Sequence, residues 1–197
     1  MTGPGGSGKS TLANAIADEL NATIKVISFS VIKKASDLAA VLTNISEGDI
    51  ILAENFDCIH NSCIELLVSA LNNFCYDILI GKGTAAKSVR IPLPAFTLIA
   101  TMDKNYHLPE ILSSCFLIKW KMEDYSIEEL SALSIIYARK NLIYITDEAV
   151  GMVVEKSNGS HRQLINILKI VRDFALVKGN GIADSDIAKK VISLFDL

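Results

Sequence analysis

Residues Gly3-Pro4-Gly5-Gly6-Ser7-Gly8-Lys9-Ser10 follow the pattern GxxxxGK[ST] and run directly into Thr11-Leu-Ala-Asn-Ala-Ile-Ala-Asp-Glu-Leu20, a helix-forming stretch. In such a loop the glycines let successive backbone N–H groups turn toward the β- and γ-phosphates of a nucleotide. Lys9 supplies a mobile cation and Ser10 offers its hydroxyl to Mg²⁺. The helix opening at Thr11 would point its positive end at the same charge. Gly3 through Thr11 are therefore expected to form a nucleotide-phosphate site. A loop of this kind normally follows a buried strand, and only Met1 and Thr2 precede it here. Either the true start lies upstream, or this copy has lost the central strand of its sheet.

Composition narrows the class of protein. Half of the 197 residues are hydrophobic, enough to bury a real core as one large domain or one domain with a small lid. The net charge of −3 excludes a strongly basic, self-sufficient nucleic-acid binder, because phosphate neutralisation requires clustered Lys and Arg. The cysteines, Cys58, Cys63, Cys75 and Cys115, form no CxxC pair, and they read as reduced, mostly buried thiols. Apolar stretches are strand-length, far short of the ~20 residues a membrane span needs. With no basic-then-apolar leader, the chain is expected to be soluble and cytoplasmic, without a membrane partner.

Along the chain, Thr23–Phe29 is β-branched and strand-like, and Ser36-Asp37 opens a short helix through Leu42. Ile50-Ile51-Leu52-Ala53 is a continuous apolar run that predicts a buried parallel strand. Ser62–Asn73 is amphipathic, with Ile64, Leu67, Val68 and Leu71 on one face. Tyr76–Ile80 and Ser88–Ile91, joined through Gly81-Lys82-Gly83, predict a β-hairpin. Phe96–Ala100 and Phe116–Lys119 read as two further strands. Strands alternating with helices indicate a parallel α/β sheet over 1–125. The texture then changes at Met122-Glu-Asp-Tyr-Ser126, and from Ile127 the pattern is helical, broken at Asn141, Ser157-Asn-Gly159 and Lys178-Gly-Asn-Gly181. Residues 126–197 are expected to form a small helical lid.

An α/β nucleotide-binding core followed by an all-helical lid resembles the AAA+ arrangement. Four stretches resemble the RuvB family of Holliday-junction branch-migration motors in particular. They are Asp37-Leu-Ala-Ala-Val-Leu-Thr-Asn-Ile-Ser-Glu-Gly-Asp49, Asp77-Ile-Leu-Ile-Gly-Lys-Gly83, Pro94-Ala-Phe-Thr-Leu-Ile-Ala100 and Val171-Arg-Asp-Phe-Ala-Leu-Val-Lys-Gly179. The resemblance implies ATP and Mg²⁺ as ligands, assembly into an AAA+ ring, and a winged-helix DNA-binding domain after the lid, which is not found before Leu197. It also makes the hairpin 76–91, with Lys82, Lys87 and Arg90, the docking element for a RuvA-like junction-binding protein. DNA contact is then expected to be indirect or weak.

The same resemblance assigns catalytic positions, and several depart from the family pattern. After the buried strand the family carries an Asp that holds the Mg²⁺ shell and a Glu that polarises the attacking water. The matching residues are Glu54 and Asn55. Glu54 retains a carboxylate for the metal beside Ser10, but an amide cannot take a proton from water. Asp57 is the only nearby substitute, and it also reads as a solvated loop carboxylate. The family's arginine finger falls on Ser113-Ser114-Cys115-Phe116, which holds no cation. Thr101 or a neighbour matches the polar sensor at the end of a core strand. Gly159-Ser160-His161-Arg162 resembles the opening of the lid helix that carries the second sensor, which makes Arg162 a contact to the γ-phosphate, or else a surface arginine near a helix start. These readings imply an ATP-binding module with little or no hydrolysis. The alternatives are a non-hydrolysing ring or clamp subunit and a decayed or truncated product.

Overall fold

The computed structural model describes residues 1–80 and 87–195, with the side chains of Leu79 and Ile80 outside the description. The chain forms two compact units, one of Met1–Gly3 with Lys9–Lys121 and one of Pro4–Gly8 with Met122–Leu197.

In the first unit, helix α1 (Lys9–Glu19) leads to β1 (Ile24–Ser28), α2 (Ala35–Leu42), β2 (Ile50–Glu54), a 3₁₀ turn (Phe56–Cys58) and α3 (Asn61–Asn73). Then come β3 (Cys75–Ile80), β4 (Lys87–Pro92), β5 (Thr97–Ala100) and the short α4 (Glu110–Ser113). Strands β1, β2 and β5 form a parallel sheet with β2 in the middle, in the register Ile24↔Ile50 and Ile50↔Thr97. Ile50, Ile51, Leu52 and Ala53 are all buried, as expected of a central parallel strand covered on both faces. The strand ends on the half-buried Glu54, so burial stops where the carboxylate begins. Phe29, Leu38, Leu42, Phe56 and Leu67 build the core on one face of this sheet, with the Phe29 and Phe56 rings meeting edge to face at 4.9 Å.

The sheet extends past β5 by a single residue. Thr2 bridges in parallel to both Met102 and Lys121. The Met1 ammonium donates to the Ala100 carbonyl at 2.7 Å, Met102 N–H donates to Met1 O at 3.1 Å, and Thr2 N–H donates to Trp120 O at 2.8 Å. Residues 116–119, expected as a strand, form none. The reason is pairing rather than propensity. Among the described residues the strand-type pairing beside this segment is the Thr2 bridge to Met102 and Lys121, so residues 116–119 have no ladder partner, although Phe116 packs its ring against Phe56 at 5.8 Å.

The expected hairpin is present as β3 and β4, antiparallel from Cys75↔Pro92 to Ile80↔Lys87. Lys82 lies outside the described residues. The cysteines are less buried than expected, since only Cys63 is enclosed, Cys75 and Cys115 are half-exposed and Cys58 is exposed. Small loop and strand-end positions left three thiols at the surface.

The second unit holds α5 (Ile127–Lys140), α6 (Asp147–Lys156), α7 (His161–Lys178) and α8 (Ser185–Leu194). Each helix starts on a side chain that satisfies an otherwise orphaned N–H. Ser126 accepts from Glu129 N–H at 3.2 Å while Glu129 Oε2 accepts from Ser126 N–H at 2.8 Å, and Thr146, Ser160 and Asp184 cap the other three. Leu130, Val153, Leu164, Leu168, Val171 and Val191 interlock as the core. A two-residue parallel pair, β6 (Tyr144–Ile145) with β7 (Ile182–Ala183), joins the helices, and is too short to leave a periodic signal in the sequence. Among the described residues no helix is long and apolar enough to cross a membrane.

Candidate nucleotide site

The glycine-rich loop divides between the two units. Pro4–Gly8 belong to the helical unit, where Tyr125 and the start of α7 surround them. Gly6 has φ +85°, and a Cβ on it would come within 2.8 Å of both Arg162 Cβ and Ser160 Oγ. Gly8 has φ +89°, and a Cβ there would lie 3.1 Å from Tyr125 Oη. At both positions a left-handed backbone and a close neighbour exclude larger residues. Tyr125 Oη donates to Ser7 O at 3.3 Å, and Ser160 Oγ donates to Gly5 O at 3.4 Å. Arg162, expected from the resemblance, thus sits at the opening of α7 against the loop backbone. Tyr125 was not expected, because the sequence around it reads only as a connection between domains.

The Ser7 hydroxyl is buried and has no hydrogen-bond partner. An unpaired buried hydroxyl is costly, and in a loop of this pattern it is available to a ligand oxygen.

The remaining residues lie in the first unit. Lys9 Nζ donates to Gly3 O at 2.7 Å, so the ammonium folds back over the strand end of its own loop. Ser10 Oγ donates to Glu54 Oε1 at 2.5 Å, which brings together the two oxygen donors expected at a metal. Both are hard ligands, and among the described residues no group of three His, Cys, Asp or Glu could hold an ion alone. This donor set fits an ion shared with phosphate oxygens and water, as Mg²⁺ usually is.

Asn55 follows Glu54 in a left-handed conformation at φ +50° and is exposed, its amide donating to Ser28 Oγ at 3.2 Å. Thr101 is buried and donates to the Ala53 carbonyl at 3.4 Å, while its own carbonyl accepts from Phe56 N–H at 2.9 Å. It therefore fastens the end of β2 to the end of β5. Ser113 accepts from Lys119 Nζ at 2.7 Å, a cation six residues along the chain that the segment Ser113–Phe116 itself lacks. Partial burial pushes the pKa of the Met1 ammonium below its ordinary value, and the nearby Lys9 charge adds to the shift. In the hairpin, Arg90 grips Asp77 through two bonds of 3.0 and 3.1 Å, which occupies one of the cations expected to face a partner.

The sequence model described as the Holliday junction DNA helicase RuvB P-loop domain matches residues 1–122. The fold matches a variant of Thermotoga maritima RuvB with a TM-score of 0.88 and 30% identity, over 100% of this chain and 61% of that one. The Thermotoga maritima RuvB Holliday junction branch migration motor gives 0.82 and 30%, over 98% and 60%. NtrX from Brucella abortus, solved with ADP, shares the fold at a TM-score of 0.68 and 13% identity, over 94% of this chain and 48% of that one. The chain spans about three fifths of the RuvB structures it matches, the 61% and 60% just given. A glycine loop shaped by Gly6 and Gly8, a Ser10–Glu54 pair at the end of a central parallel strand, and a match over most of the length lead to one conclusion: the chain belongs to the RuvB family of AAA+ P-loop proteins.

Proposed function

We propose that the chain is an ATP-binding AAA+ module, related to the Holliday-junction branch-migration motors, that holds Mg-ATP and turns it over slowly or not at all. The observation that carries this reading is the Ser10–Glu54 contact of 2.5 Å directly beside the glycine loop. The loop N–H groups from Gly5 to Thr11 and the Lys9 ammonium bind the phosphates, with Gly3 and Pro4 shaping the entry to the loop. Ser10 and Glu54 hold Mg²⁺, which when bound offsets charge between the β- and γ-phosphates. Lys9 is released from Gly3 O to do so, and the Ser7 hydroxyl gains the partner it lacks. Arg162 is the cation assigned to the γ-phosphate. Asn55 can orient a water by hydrogen bonding but cannot remove its proton, so the deficit falls on the reaction barrier rather than on nucleotide affinity.

A second reading, a non-hydrolysing subunit of an AAA+ ring, is favoured by Asn55 together with the cation-free Ser113–Phe116 segment. Docking of a RuvA-like partner on hairpin 76–91 belongs to the same proposal, with Lys87 at the exposed start of β4 as a cation toward that partner and DNA reached through it.

Titration of a fluorescent ATP analogue with Mg²⁺ separates these readings from failure of the site. Saturable binding is expected, and Lys9→Ala should weaken it by about tenfold or more, the loss of a charge-assisted contact. Equal binding by both proteins would refute the assignment. Phosphate release near background that rises by about tenfold or more in Asn55→Glu supports a stalled ATPase. Release that stays at background in that variant supports the non-hydrolysing subunit.

A further inference from the structure

Consecutive residues at the opening of α7 hold the glycine loop along its length. Ser160 Oγ donates to Gly5 O at 3.4 Å, and Arg162 Cβ stands 2.8 Å from the place a Cβ on Gly6 would take. Between them, the half-buried His161 sets its imidazole against the Tyr125 ring, the centroids 5.8 Å apart and the planes at 54°. Tyr125 carries the contact onward, because its hydroxyl donates to Ser7 O at 3.3 Å and lies 3.1 Å from the place a Cβ on Gly8 would take. His161 is thus packed on the side chain that steadies Ser7 and Gly8.

The charged side chains of the segments that meet here are Arg162 beside it on α7, Lys156 at the end of α6, Glu123 and Asp124 before Tyr125, and Glu128 and Glu129 at the start of α5. Pro4–Gly8 carry none. Guanidinium, ammonium and carboxylate groups keep their charge between about pH 6 and about pH 8, whereas an imidazole changes its charge there. A polyanionic ligand on the loop favours the charged imidazole over the neutral one, and linkage then makes the charged form the tighter binder.

From this we infer that His161 is a positioning residue for the glycine loop whose protonation raises affinity for a nucleoside di- or triphosphate as pH falls. This role rests on the nucleotide site proposed above and adds its regulation by pH.

The test is titration of the fluorescent ATP analogue with Mg²⁺ at about pH 6 and about pH 8, at one ionic strength. Toward the lower pH the unmodified chain should gain affinity by about threefold or more beyond any gain shown by His161→Asn, which has no titrating ring. Titration of the nucleotide and of the Met1 ammonium occurs in both proteins and drops out of that comparison. His161→Lys, charged throughout, should match His161→Asn in pH dependence while binding more tightly than it at the higher pH. A second measurement needs no variant: the assigned imidazole C–H resonance of His161 should titrate about half a pH unit higher with the Mg-nucleotide analogue bound, the same threefold. Equal pH dependence of binding in the unmodified chain and in folded His161→Asn would overturn the proposal, as would a His161 midpoint that the nucleotide leaves in place. Absence of saturable binding by the unmodified chain at both pH values would refute the nucleotide site itself, and this role with it.

Discussion

Gly6 is the residue where the loop tolerates least change. Its φ of +85° disfavours any L side chain, and Arg162 Cβ and Ser160 Oγ occupy the space a methyl group would need. Gly6→Ala should lower stability in urea unfolding by about 1–3 kcal/mol, combining backbone strain with a displaced α7 start. The Mg-ATP affinity should fall in parallel. Gly5→Ala is the control, because nothing lies within 4 Å of a Cβ there and its φ is not in the left-handed range. A loss of stability in Gly5→Ala as large as in Gly6→Ala would show that general loop stiffness, not these contacts, sets the cost.

Between elements, β1 is tied to the turn before β2 by one buried carboxylate. Asp49 accepts from Ser46 N–H at 2.7 Å and pairs with Lys25 Nζ at 2.6 Å, and Lys25 also donates to Asn44 O at 2.6 Å. The Lys25 hydrogen bond, followed by that of Ser46, holds the Asp49 carboxyl below its ordinary value of 3.8. A depressed folded-state pKa gives stability that is present above the unfolded value and disappears as pH falls through the folded one. Asp49→Asn should therefore be less stable than the unmodified chain at pH 7, with the difference shrinking below pH 3.8. Denaturant midpoints across that range test this, and a gap that widens on acidification would refute it. In the helical unit, Ser126→Ala removes one arm of the reciprocal cap with Glu129 and should cost about 1 kcal/mol by the same measurement.

For the whole molecule, net charge limits any direct contact with DNA. A net charge of −3 leaves few cations free to neutralise phosphates, and Arg90, one of the hairpin's cations, already holds Asp77. Binding of this chain to four-way junction DNA should be weak and should fade as salt rises, with a shallow slope of log affinity against log salt. Tight binding at physiological salt, measured by fluorescence anisotropy, would refute this and require a basic surface beyond the hairpin.

Much of this protein is legible in its residues. The continuous apolar run at Ile50–Ala53, the period of Ser62–Asn73 and the glycine loop each encode local structure through local physics, and the loop encodes its ligand class as well. What the sequence could not decide depends on neighbours distant in the chain. Phe116–Lys119 has strand composition, yet a strand exists only where a partner backbone lies alongside, and Met1–Thr2 reach just its far end. Tyr125 carries no motif, and becomes part of the loop's surroundings only because the tertiary fold brings its hydroxyl to Ser7. Lys119 lies six residues beyond Ser113, and no periodic pattern marks the turn that brings its ammonium to 2.7 Å from the Ser113 hydroxyl. Periodicity and propensity are properties of a single segment; hydrogen-bond pairing and charge placement are properties of two, and only the folded chain specifies which two meet.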